Sequence, residues 1–136
     1  MAKALGTDDS ITTCDCCGKS NLKHTVIIEL DDGEIVHYGS VCATRNTGKA
    51  SKVINAEIRA HHEAQRVAAA REYRASPEYL AERARFAERD EVARETGVRM
   101  VGSVAMEFVR EAAAAADEAC RIIAKKYSLN VWEIRA

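Results

Sequence analysis

The spacing of hydrophobic positions changes twice along this chain, and the changes divide it into segments. Residues 1–12 are polar and aperiodic, with Gly6 and the Asp8-Asp9-Ser10 run, and read as a flexible N-terminus. Thr25 to Leu30 and Glu34 to Tyr38 are rich in β-branched residues and flank Asp32-Gly33. That dipeptide favours a type I′ turn, because both of its positions tolerate positive φ. With Asp32 and Gly33 as the loop, Leu30 faces Ile35, Glu29 faces Val36, Ile28 faces His37 and Ile27 faces Tyr38. Alternation then sets Val26, Ile28, Leu30, Ile35 and His37 on one face, expected to be buried, and Thr25, Ile27, Glu29, Val36 and Tyr38 on the other.

Beyond Gly39 the period becomes helical. Ser40 is placed to cap a short helix carrying Val41, Cys42 and Ala43, which Gly48 would stop. Longer helices are predicted at about 52–75, 77–96 and 103–127. Ser51 is placed to cap the first, and Ser103 to open the last. Ser76-Pro77-Glu78 marks the middle one: serine accepts orphan amides, proline suits the first helical position, and glutamate suits the positive end. In the last helix Val101, Ala105, Phe108, Ala112, Ala115, Ala119 and Ile122 recur at alternating steps of four and three, the clearest amphipathic stripe in the chain. The two middle helices place few large apolar residues among dense Arg and Glu and should be half exposed. The tail from Leu129 to Ile134, with Trp132, can cap the helical core or dock on a partner. The expected fold is therefore α+β and mostly helical. Residues 13–48 form a hairpin unit, and residues 49–136 form a three-helix region.

Composition sharpens this picture at two points. Hydrophobic residues make up 47% of the 136, but aromatics only 5%, so the core is thin and gains from a metal staple or a partner chain. Charge is interleaved, with 20 Lys/Arg against 21 Asp/Glu and a net charge of -1. This balance argues against a chain-wide grip on nucleic acid or an anionic membrane. No apolar run approaches the roughly 18 residues of a spanning helix, and MAKALGTDDS lacks a secretory apolar stretch, so a cytoplasmic protein is expected. In a reducing compartment five cysteines, three of them within positions 14–17, read as metal ligands before disulfides.

The chemistry lies in Cys14-Asp15-Cys16-Cys17-Gly18-Lys19, followed by the hairpin and then by Gly39-Ser40-Val41-Cys42. Two thiolates separated by two residues and followed by glycine form a knuckle whose amides point at sulfur. A third thiolate in the first turn of a helix gains from the positive helix end. The expected ligands are Cys14, Cys17, Cys42 and a fourth residue. His37 comes first, because it ends the second strand close before Cys42. His24 is second, and Cys16 third, since adjacent cysteines rarely reach one ion together. Cys120 falls beside Ala119 and reads as a small core residue. His61-His62 point about 100° apart on a helix and read as a solvated or packed pair.

The segment from about Thr13 to Gly48 resembles the treble-clef and zinc-ribbon group of zinc fingers. In that group a knuckle, a hairpin and a helix start surround one structural zinc, and a second Cys-x-x-Cys is usual where this chain has only Cys42. It is also similar to the cysteine-containing N-terminal segments of small uncharacterised actinobacterial and actinophage proteins, a likeness that implies no activity. The resemblance implies one structural Zn²⁺ and no catalytic residue. No His-x-Glu precedes a Cys-x-x-Cys, the order found in zinc deaminases, either. The expectation is thus a non-enzymatic zinc-binding interaction module, a small phage-like regulator or inhibitor of a protein partner. Nucleic-acid binding, self-association through the last helix and zinc-dependent hydrolysis or deamination are the alternatives. The arginines of the middle helices lie near glutamates at helical spacing, which internal pairing explains more simply than a phosphate-binding face.

Overall fold

The computed structural model describes residues 2–135, so the end positions of the segments expected at 1–12 and 49–136 lie outside it. The fold is α+β and mostly helical, as the pattern predicts. Its elements run β1 (Lys3–Asp8), β2 (Thr25–Glu29), β3 (Ile35–Tyr38), α1 (Ser40–Thr47), α2 (Ser51–Ala75), α3 (Pro77–Thr96), α4 (Gly102–Lys126) and α5 (Val131–Arg135). The chain divides into two compact units, Met1–Ala64 and Gln65–Ala136. The helical region expected to begin at residue 49 is therefore shared, since α2 contributes Ile54 to the first core and Ala69 and Tyr73 to the second.

In the first unit the three strands form an antiparallel sheet in the order β1-β2-β3. Lys3–Asp8, within the segment expected to be flexible, is thus an ordered strand. Lys3–Asp8 has weak β-propensity, but it pairs along the free edge of β2, with a bulge between Ala4 and Gly6. Two side chains fix it there. Glu57 Oε2 on α2 accepts the Ala4 N–H at 3.0 Å, and Lys49 Nζ donates to the Ala2 carbonyl at 2.6 Å while pairing with Glu57. The Lys49 ammonium helps to hold the Glu57 carboxyl below its usual range, against the opposing effect of burial.

The hairpin register is one residue away from the expected one. Glu29 pairs with Ile35, Ile28 with Val36, Ile27 with His37 and Val26 with Tyr38. Gly33 N–H donates to Leu30 O at 2.9 Å, and Leu30 N–H to Glu34 O at 2.8 Å. The loop is therefore Asp31-Asp32-Gly33, a turn closed by a glycine at φ 86°, with Asp32 Oδ1 accepting the Glu34 N–H. Because strand side chains alternate, this single step exchanges the faces of β3. Val36 enters the core with Ala4, Val26, Ile28, Ala43 and Ile54, whereas Ile35 is 47% exposed. His37 moves to the opposite face.

The second unit is built on α3, α4 and α5 together with the end of α2. Ser76 Oγ accepts the Tyr79 N–H at 3.3 Å with Pro77 beside it, and Gly97 ends α3 at φ 68°, as the sequence signals require. Gly48 stops α1 at φ 69°, as expected, but the other expected serine N-caps differ, and Ser51 is the first residue of α2. Ser40 is the first residue of α1, behind a Gly39 cap with no side-chain bond, and α4 starts at Gly102 behind Val101. The buried stripe of α4 is Val109, Ala116, Ala119, Cys120, Ile123 and Ala124. Val101 and Ile122, placed in the expected stripe, are exposed. A strict 3.5-residue repeat drifts around a helix of 3.6 residues per turn, and the alanine-rich sequence does not mark which side wins. Tyr73 and Ile134 decide it by packing on Cys120 and Ile123, while Trp132 remains outside.

The register gives a direct test. Val36→Ala should cost about 2 kcal/mol by chemical denaturation, as a buried side chain is lost. Ile35→Ala should stay within about 0.5 kcal/mol, as at most exposed positions. The opposite order would restore the two-residue turn.

Candidate metal centre

The knuckle is a closed turn docked on the end of β3. Gly18 N–H donates to Cys14 O at 2.9 Å and Cys14 N–H to Lys19 O at 2.9 Å, with Gly18 at φ 74°. Asp15 N–H donates to His37 O at 2.8 Å, and His37 N–H returns a bond to Asp15 Oδ2 at 2.8 Å. This reciprocal pair fastens the knuckle to the strand that leads, through Gly39, into α1. A Cβ on Gly39 would lie 3.3 Å from Leu22 Cδ1 and 4.0 Å from Cys14 Sγ, so the absence of a side chain there lets helix and knuckle approach.

That approach brings the sulfurs of Cys14, Cys17 and Cys42 within 4.8 Å of one another. Cys14 and Cys42 are buried, and Cys17 is exposed. A cleft of about 310 Å³ opens beside the three, with Lys19 and Arg45 in its wall. Burial pushes the Cys14 thiol up, but the backbone N–H groups of Cys17, Gly39 and Cys16 and the Cys42 thiol outweigh it and hold the group down at about 7. Cys42 is pushed up to about 12, first by its bond to Cys17, then by burial and by the thiols of Cys14 and Cys16. Cys14 and Cys42 are thus shifted in opposite directions, with a proton retained on Cys42 while Cys14 ionises. Three soft sulfurs at this separation, with amides aimed at one of them, form a donor set that could hold a metal ion.

The other expected ligands lie outside the group. His37 Nε2 faces Asp8 Oδ2 at 3.4 Å, and Nδ1 faces Asp15 Oδ2 at 3.9 Å. Its displacement follows from the register step and from β1, which supplies Asp8. His24 is exposed and is not among the grouped donors. Cys16 is exposed, and its sulfur accepts from Asn46 Nδ2 at 3.3 Å. Asn46 also donates to the Cys42 carbonyl at 2.8 Å. Sequence reasoning missed Asn46, although it lies one helical turn past Cys42, where i+4 spacing could have found it. Cys120, as expected, is a core residue, fully buried with Tyr73 and Ile123 and raised by that burial.

Comparison with protein-family models, curated proteins and solved structures returns no match to this chain. Among the described residues no helix is long and apolar enough to cross a membrane.

Metal uptake should depend on pH through Cys14. Below its pKa of about 7 an incoming ion must displace the Cys14 proton, and above it the thiolate is already present. Cys42 stays protonated on both sides. Calorimetry in buffers of different ionisation enthalpy should find about one fewer proton released per ion at about pH 8 than at about pH 6. An unchanged count would show that Cys14 does not ionise in the apo chain.

Proposed function

We propose that the first unit is a treble-clef-like zinc finger with one structural Zn²⁺, and that the chain is a small non-enzymatic, phage-like cytoplasmic regulator that engages a protein partner. The observation that carries this reading is the meeting of Cys14, Cys17 and Cys42, from a knuckle and from the first turn of a helix, within 4.8 Å. Zinc suits soft thiolates in a tetrahedral shell and supplies folding energy directly, which answers the thin core. The cleft beside the sulfurs is walled by cationic and apolar groups such as Lys19, Arg45, Leu22 and Val41, with no carboxylate or imidazole to move a proton. This supports a structural site over a hydrolytic one.

A protein partner is favoured over nucleic acid because arginines are engaged by carboxylates of the same chain. Arg85 pairs with Glu88 at 2.7 Å, Arg110 with Glu107 at 2.8 Å, Arg94 with Glu91, and Arg135 with Asp117 at 2.5 Å. Ile35 and Val41 of the first unit stand exposed, which suits contact with protein. A second reading, self-association through α4, draws on exposed Val101, Val104 and Met106. Light scattering at several concentrations separates it, since a strictly monomeric chain rules it out.

Elemental analysis should find one zinc per chain, lost in Cys14→Ser and Cys42→Ser together with a fall in Tm on the order of 10 °C. Cys120→Ser should keep its zinc. Equal metal loss in all three would refute the centre. In nuclease-treated lysate the wild type should retain a specific protein that Cys42→Ser does not, whereas recovery of nucleic acid alone would overturn the choice of partner.

A further inference from the structure

We infer that Cys16 supplies the fourth ligand, so that Cys14, Cys16, Cys17 and Cys42 enclose the ion in an all-thiolate shell. The inference rests on the metal-binding reading above and gives that site its missing residue. The Cys16 sulfur lies outside the three that meet within 4.8 Å, but the Asn46 amide that bonds it also bonds the carbonyl of Cys42, so a fourth sulfur stands next to the group. Cys16 occupies the 15–17 turn, ahead of Gly18 at φ 74°. Successive side chains there are freed from the strict opposition they would have in a strand. Its side chain is exposed, so rotation about χ1 meets little packing, and the sulfurs must in any case contract toward a metal–sulfur distance of about 2.3 Å.

Asn46 strengthens the assignment. One amide group reaches both the Cys16 sulfur, at 3.3 Å, and the carbonyl of Cys42, at 2.8 Å, which holds Cys16 against the residue that carries a buried ligand. An N–H aimed at sulfur is the kind of outer contact that steadies a ligating thiolate. Charge agrees as well. Four thiolates on a divalent ion leave two negative charges, and two cations, Lys19 and Arg45, line the cleft at the sulfurs. An imidazole in the fourth place would leave only one. The competing imidazole of His37 has a carboxylate facing each ring nitrogen, Asp8 on one side and Asp15 on the other.

The test uses the full chain loaded with Co²⁺, whose visible bands report ligand type. Cys16→Ser should shift the bands to shorter wavelength, reduce the thiolate-to-cobalt charge-transfer intensity by about a quarter, and weaken Zn²⁺ binding tenfold or more. His37→Ala and His24→Ala should leave the spectrum unchanged. X-ray absorption of the unaltered zinc protein should count four sulfurs, a result that needs no variant to fold. A wild-type spectrum in Cys16→Ser, a shift in His37→Ala, or three sulfurs with one lighter ligand would overturn the assignment while leaving the metal centre standing. A wild-type chain that takes up neither Zn²⁺ nor Co²⁺ would overturn the centre itself, and Cys16 with it.

Discussion

The turn closed by Gly33 is the constraint on which the first unit depends. By taking three residues into the loop it fixes Ile28 opposite Val36 and sends Val36, not Ile35, into the core. The same step places His37 beside Asp8 and Asp15, and the backbone of His37 becomes the anchor for the knuckle. The sulfurs meet because the knuckle is held at the end of β3 and because Gly39 lets α1 come close. Local backbone geometry at one glycine thus reaches the candidate site through ordinary strand pairing.

In the second unit small side chains set the geometry. Ala69, Ala116, Ala119 and Ala124 bring the helices near, and Tyr73, Ile123 and Ile134 fill what remains. Polar straps close the rim: Glu72 accepts from Lys126 at 3.0 Å and from Tyr127 Oη at 2.8 Å, and Arg135 reaches Tyr73 Oη at 3.3 Å. Of these, the exposed Lys126–Glu72 pair contributes little singly and serves mainly to orient the elements it joins.

Helix limits and the sulfur triad were legible because each rests on local chemistry. Ser76-Pro77, Gly48 and Gly97 signal their own conformations, and Cys-x-x-Cys-Gly encodes its own turn. What could not be read depends on distant partners. Lys3–Asp8 becomes a strand only because β2 offers an edge and Glu57 accepts the Ala4 amide, and nothing in KALGTD announces either. Asp32-Gly33 suits both two- and three-residue loops, so the register was undecided locally, and the place of His37 went with it. The stripe of α4 was ambiguous for a similar reason, since alanine packs on any side of a helix.

The reciprocal bonds between Asp15 and His37 also tie thermodynamics together. Because the knuckle is ordered by the same strand that orders the hairpin core, the cost of arranging the sulfurs is borne when the sheet forms. An ion that binds only the assembled sulfurs must then stabilise the sheet, and by reciprocity anything that loosens the sheet weakens its hold on the ion. Ile28, buried among carbon atoms with no sulfur in its cluster, is in this sense part of the affinity of the centre.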